Sequence, residues 1–186
     1  MLTLSPLIDF PLIRQGDNLA DILVDSLTKT VIEIQDGDIL VLAQKIVSKA
    51  EGRIVDLKSI TPSENAQELA IKTEKDPRVV ELILRESNEI LRTRPGAIIV
   101  EHRLGFVCAN AGIDHSNVYP ETSEASKDLG GLNAEDWVLL LPEDPDGSAD
   151  QIRQEIKATR RCGKRRDGGV AELQEDDKLV VCATQR

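Results

Sequence analysis

The chain has 186 residues, 40% of them hydrophobic, and a formal net charge of −10. That length supports one good core or two small lobes sharing one, and the composition excludes disordered and fibrous classes. The charge repels a polyanion as a whole, so non-specific nucleic-acid binding is excluded; a nucleotide would need local Lys, Arg and backbone N–H groups, or a divalent cation. With only Phe10, Phe106, Tyr119 and Trp137 as aromatic residues, the core is expected to be aliphatic, and base-stacking platforms are excluded. The opening Met1 to Pro6 carries no basic n-region or long apolar h-region, and no apolar run approaches bilayer-spanning length, which predicts a cytoplasmic protein with no membrane association. Cys108, Cys162 and Cys182 are odd in number and form no C-x-x-C pair, and His102 and His115 complete no zinc pattern, so reduced structural thiols are expected.

Leu2 to Ile8 alternates loosely and predicts a strand running into the loop Phe10 to Asp17. Asn18 can cap a helix whose Leu19, Ile22, Leu23 and Leu27 share one face. Ile39 to Ala43 is a continuous apolar run that predicts a buried strand, followed by a helical segment from Gln44 closed at Gly52. Thr61-Pro62-Ser63-Glu64 reads as a capping box with Pro at the first helical position. A second helix is predicted after Asp76-Pro77, its apolar stripe running from Val79 through Ile90 and Leu91 to just before Pro95-Gly96. Ala97 to Val100 and Phe106 to Ala109 predict a hairpin whose second strand delivers the loop Asn110 to Asn117. Tyr119 to Glu135 reads as an exposed excursion, Trp137 to Leu141 as a strand, and Ser148 or Asp146 as the start of a last helix through about Ala158. The expected organisation is a region 1–158 followed by a charged tail 159–186, in which a basic block precedes an acidic one.

Two constellations carry chemistry. Lys45 and Lys49 lie four apart at a strand-to-helix junction, where a helix N-terminus and two ammonium groups could hold phosphate oxygens; a solvent-facing lysine pair is the plainer alternative. Asp114, Ser116 and Asn117 place three oxygen-bearing side chains within four residues. Magnesium and manganese prefer such hard donors, and magnesium often takes one or two carboxylates while substrate phosphates complete its shell; a simple Asx-type turn is the alternative. Asp144-Pro145-Asp146-Gly147 lacks the remaining acidic ligands of a calcium loop and reads as a turn and helix cap. Walker, G-x-G-x-x-G and G-x-S-x-G patterns are absent.

Four blocks, Pro11 to Asp17, Ile46 to Arg53, Asn110 to Asn117 and Leu141 to Ala149, in this order resemble the coenzyme F420-0:L-glutamate ligase family, also called F420-0:gamma-glutamyl ligase. The resemblance spans about Leu4 to Ala158. It implies an α+β fold with two lobes of the gamma-glutamyl ligase type, an intertwined homodimer, and GTP-dependent addition of L-glutamate to coenzyme F420-0, with magnesium or manganese, and potassium as a further cation. By position it implies that Phe10, Pro11, Leu12, Ile13, Gln44, Lys45, Lys49 and Asn117 contact GTP and that Asp114 is a metal ligand. The residues after Ala158 depart from the family, which continues into a strand ending in Asp-Thr and later a Gly-rich segment. A truncated or frame-altered copy is therefore an expectation. An active ligase, a catalytically inactive relative kept as a nucleotide-binding or dimerisation module, and a basic-tailed interaction protein all stay open.

Overall fold

The structure, a computed structural model, describes residues 3–35, 37–115, 118, 136–164 and 178–182, with backbone alone for 160–164 and 178–182. These form a mixed α+β protein in two compact units, the first made of residues 1–51 and 144–184 with Arg186, the second of Gly52–Glu143 with Gln185.

In the first unit Asn18 accepts from the Asp21 amide and starts helix α1, Leu19–Thr30, whose Leu19, Leu23 and Leu27 are buried. This is the predicted amphipathic helix. It ends in a Schellman motif: the Ile32 amide donates to the Leu27 carbonyl at 3.0 Å, and Val31 sits at φ 57°. A β-branched residue is poorly suited to that left-handed position, and Val31 is 90% exposed, so packing returns little. Val31→Gly is expected to raise the unfolding free energy by about 1 kcal/mol, measured by urea denaturation.

Strand β1, Ile39–Ala43, forms as expected, but only Leu42 is buried, while Ile39 and Val41 are exposed. The expectation of a fully buried strand is thus corrected: the strand carries one covered position within a two-stranded parallel pairing with β7, Lys178–Cys182. Helix α2, Gln44–Ala50, follows immediately. Helix α5 begins at Pro145, earlier than expected, because Asp144 accepts from the Gly147 amide at 3.0 Å and so caps it; the helix runs to Lys164. Residues 165–177 and the excursion Tyr119 to Glu135 lie outside the described residues. Ile13, Leu19, Leu23, Leu42, Val47, Ile152 and Ile156 make the unit's core, with Leu7 and Phe10 packed against it.

Of the strand predicted over Leu2 to Ile8, the described residues 3–8 form none. Residues 3–8 pair with no strand among the described residues, the Ile8 amide donates instead to the Thr30 hydroxyl at 3.2 Å, and Leu4 is 83% exposed. Alternation predicts a strand only where a neighbouring edge can accept it.

The second unit holds β2 (Ile54–Asp56), a 3₁₀ turn (Leu57–Ser59), α3 (Glu64–Thr73), α4 (Pro77–Arg85), β3 (Ser87–Arg94), β4 (Ala97–His102), β5 (Val107–Ala109) and β6 (Trp137–Leu139). β3, β4 and β5 form an antiparallel sheet and β2 pairs antiparallel with β6. Ser63, not Thr61, caps α3, so Pro62 precedes the helix instead of opening it. The carboxylate that closes the cap comes from the next helix: Ser63 donates its amide and hydroxyl to Glu81 at 3.0 and 2.7 Å. These bonds, the amide's foremost, hold the Glu81 carboxyl below its ordinary pKa.

The helix predicted to reach Leu91 stops at Arg85. Ile90 faces Val100 across β3 and β4, and Leu91 lies at a register shift between Ile90 and Arg92. Pairing with β4 outweighs a 3.6-residue stripe that continues by coincidence. The predicted hairpin, by contrast, forms around Arg103 to Gly105. Leu57, Val80, Ile83, Ile98, Val100 and Val138 are fully buried in an aliphatic core, and Cys108 is a half-buried free thiol whose pKa burial pushes up.

Candidate functional site

The residues singled out from sequence divide between the two units. In the first, Ile13 is buried, Phe10 is half-buried, and Pro11 and Leu12 are exposed. The following loop is held by the Arg14 amide donating to the Asp17 carboxylate at 2.7 Å, the Asp17 amide returning to the Arg14 carbonyl at 3.2 Å, and the Gly16 amide donating to the Ala50 carbonyl at 2.9 Å. Gly16 takes φ 85°, a conformation that glycine adopts without strain. The loop is thereby fastened to the end of α2.

No side chain caps the first turn of α2, which leaves its leading N–H groups to other partners. Gln44 is buried, and its amide donates to the Ser48 hydroxyl at 2.6 Å, so the side chain braces the helix from inside. Lys45 and Lys49 are half-buried one turn apart, and Lys49 makes no ion pair among the described residues. A cavity of about 310 Å³ in this unit is lined by Gly16, Asp17, Glu51, Ser148, Gln151 and Glu155 among others, but by neither lysine. Its carboxylates make it a poor receptacle for a triphosphate. Sequence reading left Glu155 unmarked, because nothing local joins a residue of α5 to the loop at Gly16.

In the second unit Asp114 is clamped to β6: its amide donates to the Leu139 carbonyl at 3.0 Å and its carbonyl accepts from the Leu139 amide at 2.8 Å. The side chain is half-buried. Although His115 reaches solvent, the protein crowded around it pushes the imidazole below its ordinary pKa, helped by the Lys75 ammonium and opposed by Asp114 and Asp76. Burial likewise lowers Lys75. Ser116 and Asn117 lie outside the described residues. No group of three His, Cys, Asp or Glu converges among the described residues. A single half-buried carboxylate on a fixed backbone fits an octahedral magnesium-type ion whose remaining ligands are substrate oxygens and water, and does not fit a metal caged wholly by protein.

The second unit also holds a charged network that sequence reading missed. Glu86, 8% exposed, accepts from Arg53 Nη2 at 2.8 Å and Arg103 Nε at 2.9 Å. Arg53 also reaches the Leu141 carbonyl and pairs with Glu143 at 2.7 Å. Fully buried His102 accepts from the Leu104 amide at Nδ1, its proton is thereby assigned to Nε2, and that atom has no hydrogen-bond partner among the described residues although it faces Glu86 at 3.7 Å. Burial lowers the imidazole's pKa, with Glu86 opposing and Arg103 and Arg53 assisting. Because the unfolded ring titrates near the ordinary value of about 6.5, this contribution to stability is full above that pH and is lost as pH falls below it. Urea midpoints at pH 7.5 and 5.5 are expected to show the loss, and His102→Asn, which keeps an acceptor for the Leu104 amide, is expected to flatten it.

Hydrogen bonds join residues of separate sequence blocks inside each unit: Gly16 to Ala50 and the Ser148 hydroxyl to Glu51 at 2.6 Å in the first, Arg53 to Leu141 in the second. The described residues define a mixed α+β protein in which residues far apart in sequence are bonded inside each unit. The family model described as F420-0:Gamma-glutamyl ligase matches residues 7–165, and the chain belongs to that family. It is 44% identical to coenzyme F420:L-glutamate ligase of Methanopyrus kandleri over 145 residues, which is 78% of this chain and 50% of the relative. The protein of that name from Methanothermobacter thermautotrophicus is 45% identical over 147 residues, 79% of this chain and 52% of the relative. For Methanocaldococcus jannaschii the identity is 39% over 160 residues, 85% of this chain and 55% of the relative. The chain spans about half the length of the curated relatives it matches. No helix among the described residues is long and apolar enough to cross a membrane.

Proposed function

We propose that the chain serves a ligase that joins L-glutamate to coenzyme F420-0 at the expense of GTP. The observation that carries this reading is the 39–45% identity to coenzyme F420:L-glutamate ligases across about four-fifths of the chain, beside a family match over residues 7–165, which hold all four motif blocks. Phe10 to Ile13, Gln44, Lys45 and Lys49 are the residues of the first unit assigned to GTP in this proposal; Asn117, assigned with them by position, lies outside the described residues. Gln44 would act through its backbone or by bracing α2, since its side chain faces inward. The two lysines offer positive charge to phosphate oxygens.

A carboxylate is a poor electrophile at neutral pH. Its oxygen therefore attacks the γ-phosphorus of GTP, the bond to the β-phosphate oxygen breaks, and GDP leaves. The deprotonated amine of glutamate then attacks the acyl carbon of the resulting acyl phosphate, forming the C–N bond as inorganic phosphate departs; the ammonium proton is lost to solvent before attack. A bound magnesium or manganese ion would neutralise charge on the transferring phosphoryl group. Asp114 would hold that ion, and its double clamp to Leu139 keeps the carboxylate's backbone fixed. A homodimer is part of the proposal.

Titration of GTP with Mn²⁺ into the full chain, with and without coenzyme F420-0, tests it, alongside mass spectrometry for a product heavier by one glutamyl residue. Saturable Mn²⁺-dependent GTP binding with product formation is the expected result. Binding without product assigns this chain to the nucleotide-binding module, and absence of both refutes the reading.

A further inference from the structure

The approach to Asp114 is strained. Asn110, Ala111 and Gly112 follow β5 with φ of 52°, 51° and 67°, three successive residues in the left-handed region. Only one of them is glycine. A left-handed non-glycine residue costs roughly 1–2 kcal/mol, Asn being among the better tolerated. Ala111 is fully buried in the aliphatic core, so the turn cannot relax outward into solvent. What holds it is the Asn110 side chain, whose Oδ1 accepts from the Ile98 amide of β4 at 3.0 Å, while the Asn110 carbonyl accepts from Ile113 at 3.1 Å. In the antiparallel register Ile99 faces Ala109, so this amide oxygen extends the β4 and β5 ladder by one bond where the backbone has already turned away. Two residues after the left-handed turn, Asp114 meets the paired bonds to Leu139.

We infer that Asn110 is a positioning residue, whose side-chain bond to the Ile98 amide locks the left-handed turn and thereby aims the Asp114 carboxylate at its divalent cation. The inference rests on the proposed role of Asp114 as metal ligand. A turn clamped at both ends delivers one carboxylate to one place, which matters most where the protein supplies so few ligands. Removal of the amide oxygen frees the upstream clamp and leaves the downstream one.

The test uses the full chain and Mn²⁺ with GTP, read by isothermal titration, with a urea unfolding curve for every variant. Asn110→Gly is the decisive variant, because glycine adopts the left-handed conformation without strain while lacking the acceptor. It is expected to keep the parental unfolding midpoint closely yet bind Mn²⁺ about tenfold or more weakly, the scale on which residues behind a metal ligand act. Asn110→Asp retains an acceptor oxygen and is expected to stay within about threefold of the parent on the same scale. Asn110→Gly at parental affinity, beside an Asp114→Asn variant that no longer binds, overturns the inference alone. Parental Mn²⁺ binding by Asp114→Asn, or a parent that takes up no Mn²⁺, overturns the metal reading and the inference together.

Discussion

Replacing Glu86 with alanine is expected to cost about 3–5 kcal/mol of stability, the range for breaking a buried ion pair by removing one partner. The reason lies in what would be left behind. The Glu86 carboxylate is the shared acceptor for Arg53 and Arg103, whose side chains are 18% and 25% exposed, and it is the group that faces His102. Without it two largely buried guanidinium groups share the one exposed carboxylate of Glu143, at 2.7 and 3.3 Å, and an exposed carboxylate compensates weakly. Glu86→Gln is expected to lose less, because the amide oxygen still accepts one of the bonds. Urea unfolding at neutral pH distinguishes the two variants, and equal midpoints for Glu86→Ala and the parent would show that the network contributes nothing.

On the proposed reading, in which Asp114 holds a divalent cation, Asp114→Asn is expected to abolish metal-dependent turnover while sparing the fold. Asparagine has nearly the same shape, and both backbone bonds to Leu139 survive the change. What disappears is a negative charge on a hard oxygen donor. Charge stabilisation by a metal in phosphoryl transfer is worth several kcal/mol, which corresponds to a loss on the order of a hundredfold or more in rate. Manganese-dependent GTP turnover, measured with an unfolding curve on the same sample, gives the check. Unchanged turnover would remove Asp114 from the chemistry.

The sequence was most readable where local signals agreed. Asn18 before Leu19, Leu23 and Leu27, and Asp76 before Pro77, combine a cap with a stripe, and both helices begin where those residues put them. Reading failed where a distant partner decided. Ile90 and Leu91 extend the stripe of α4, but Glu86 is held by Arg53 and Arg103, 33 and 17 residues away, and β4 claims the segment that follows. The same holds for Ser63, whose closing carboxylate, Glu81, is 18 residues away. Among the candidate site residues, the types and spacing of Lys45, Lys49 and Asp114 were legible. The inward turn of Gln44 and the strain ahead of Asp114 were not, because backbone dihedrals and the direction of a side chain leave no mark on composition or period.

The division of the chain also dictates an order of assembly. Gly52–Glu143 is one continuous stretch, whereas the other unit joins residues 1–51 to residues from Asp144 onward. During synthesis the continuous unit emerges whole and can close its core at once. The discontinuous one must keep α1 and β1 waiting, with Leu23 and Leu42 lacking the Ile152 and Ile156 side chains of their core, until α5 has left the ribosome. Contacts so distant along the chain are slow to form, since the intervening loop must first be closed. The nascent chain is therefore most prone to aggregate in the interval between Glu143 and Cys182, through the segment that precedes its own inserted neighbour.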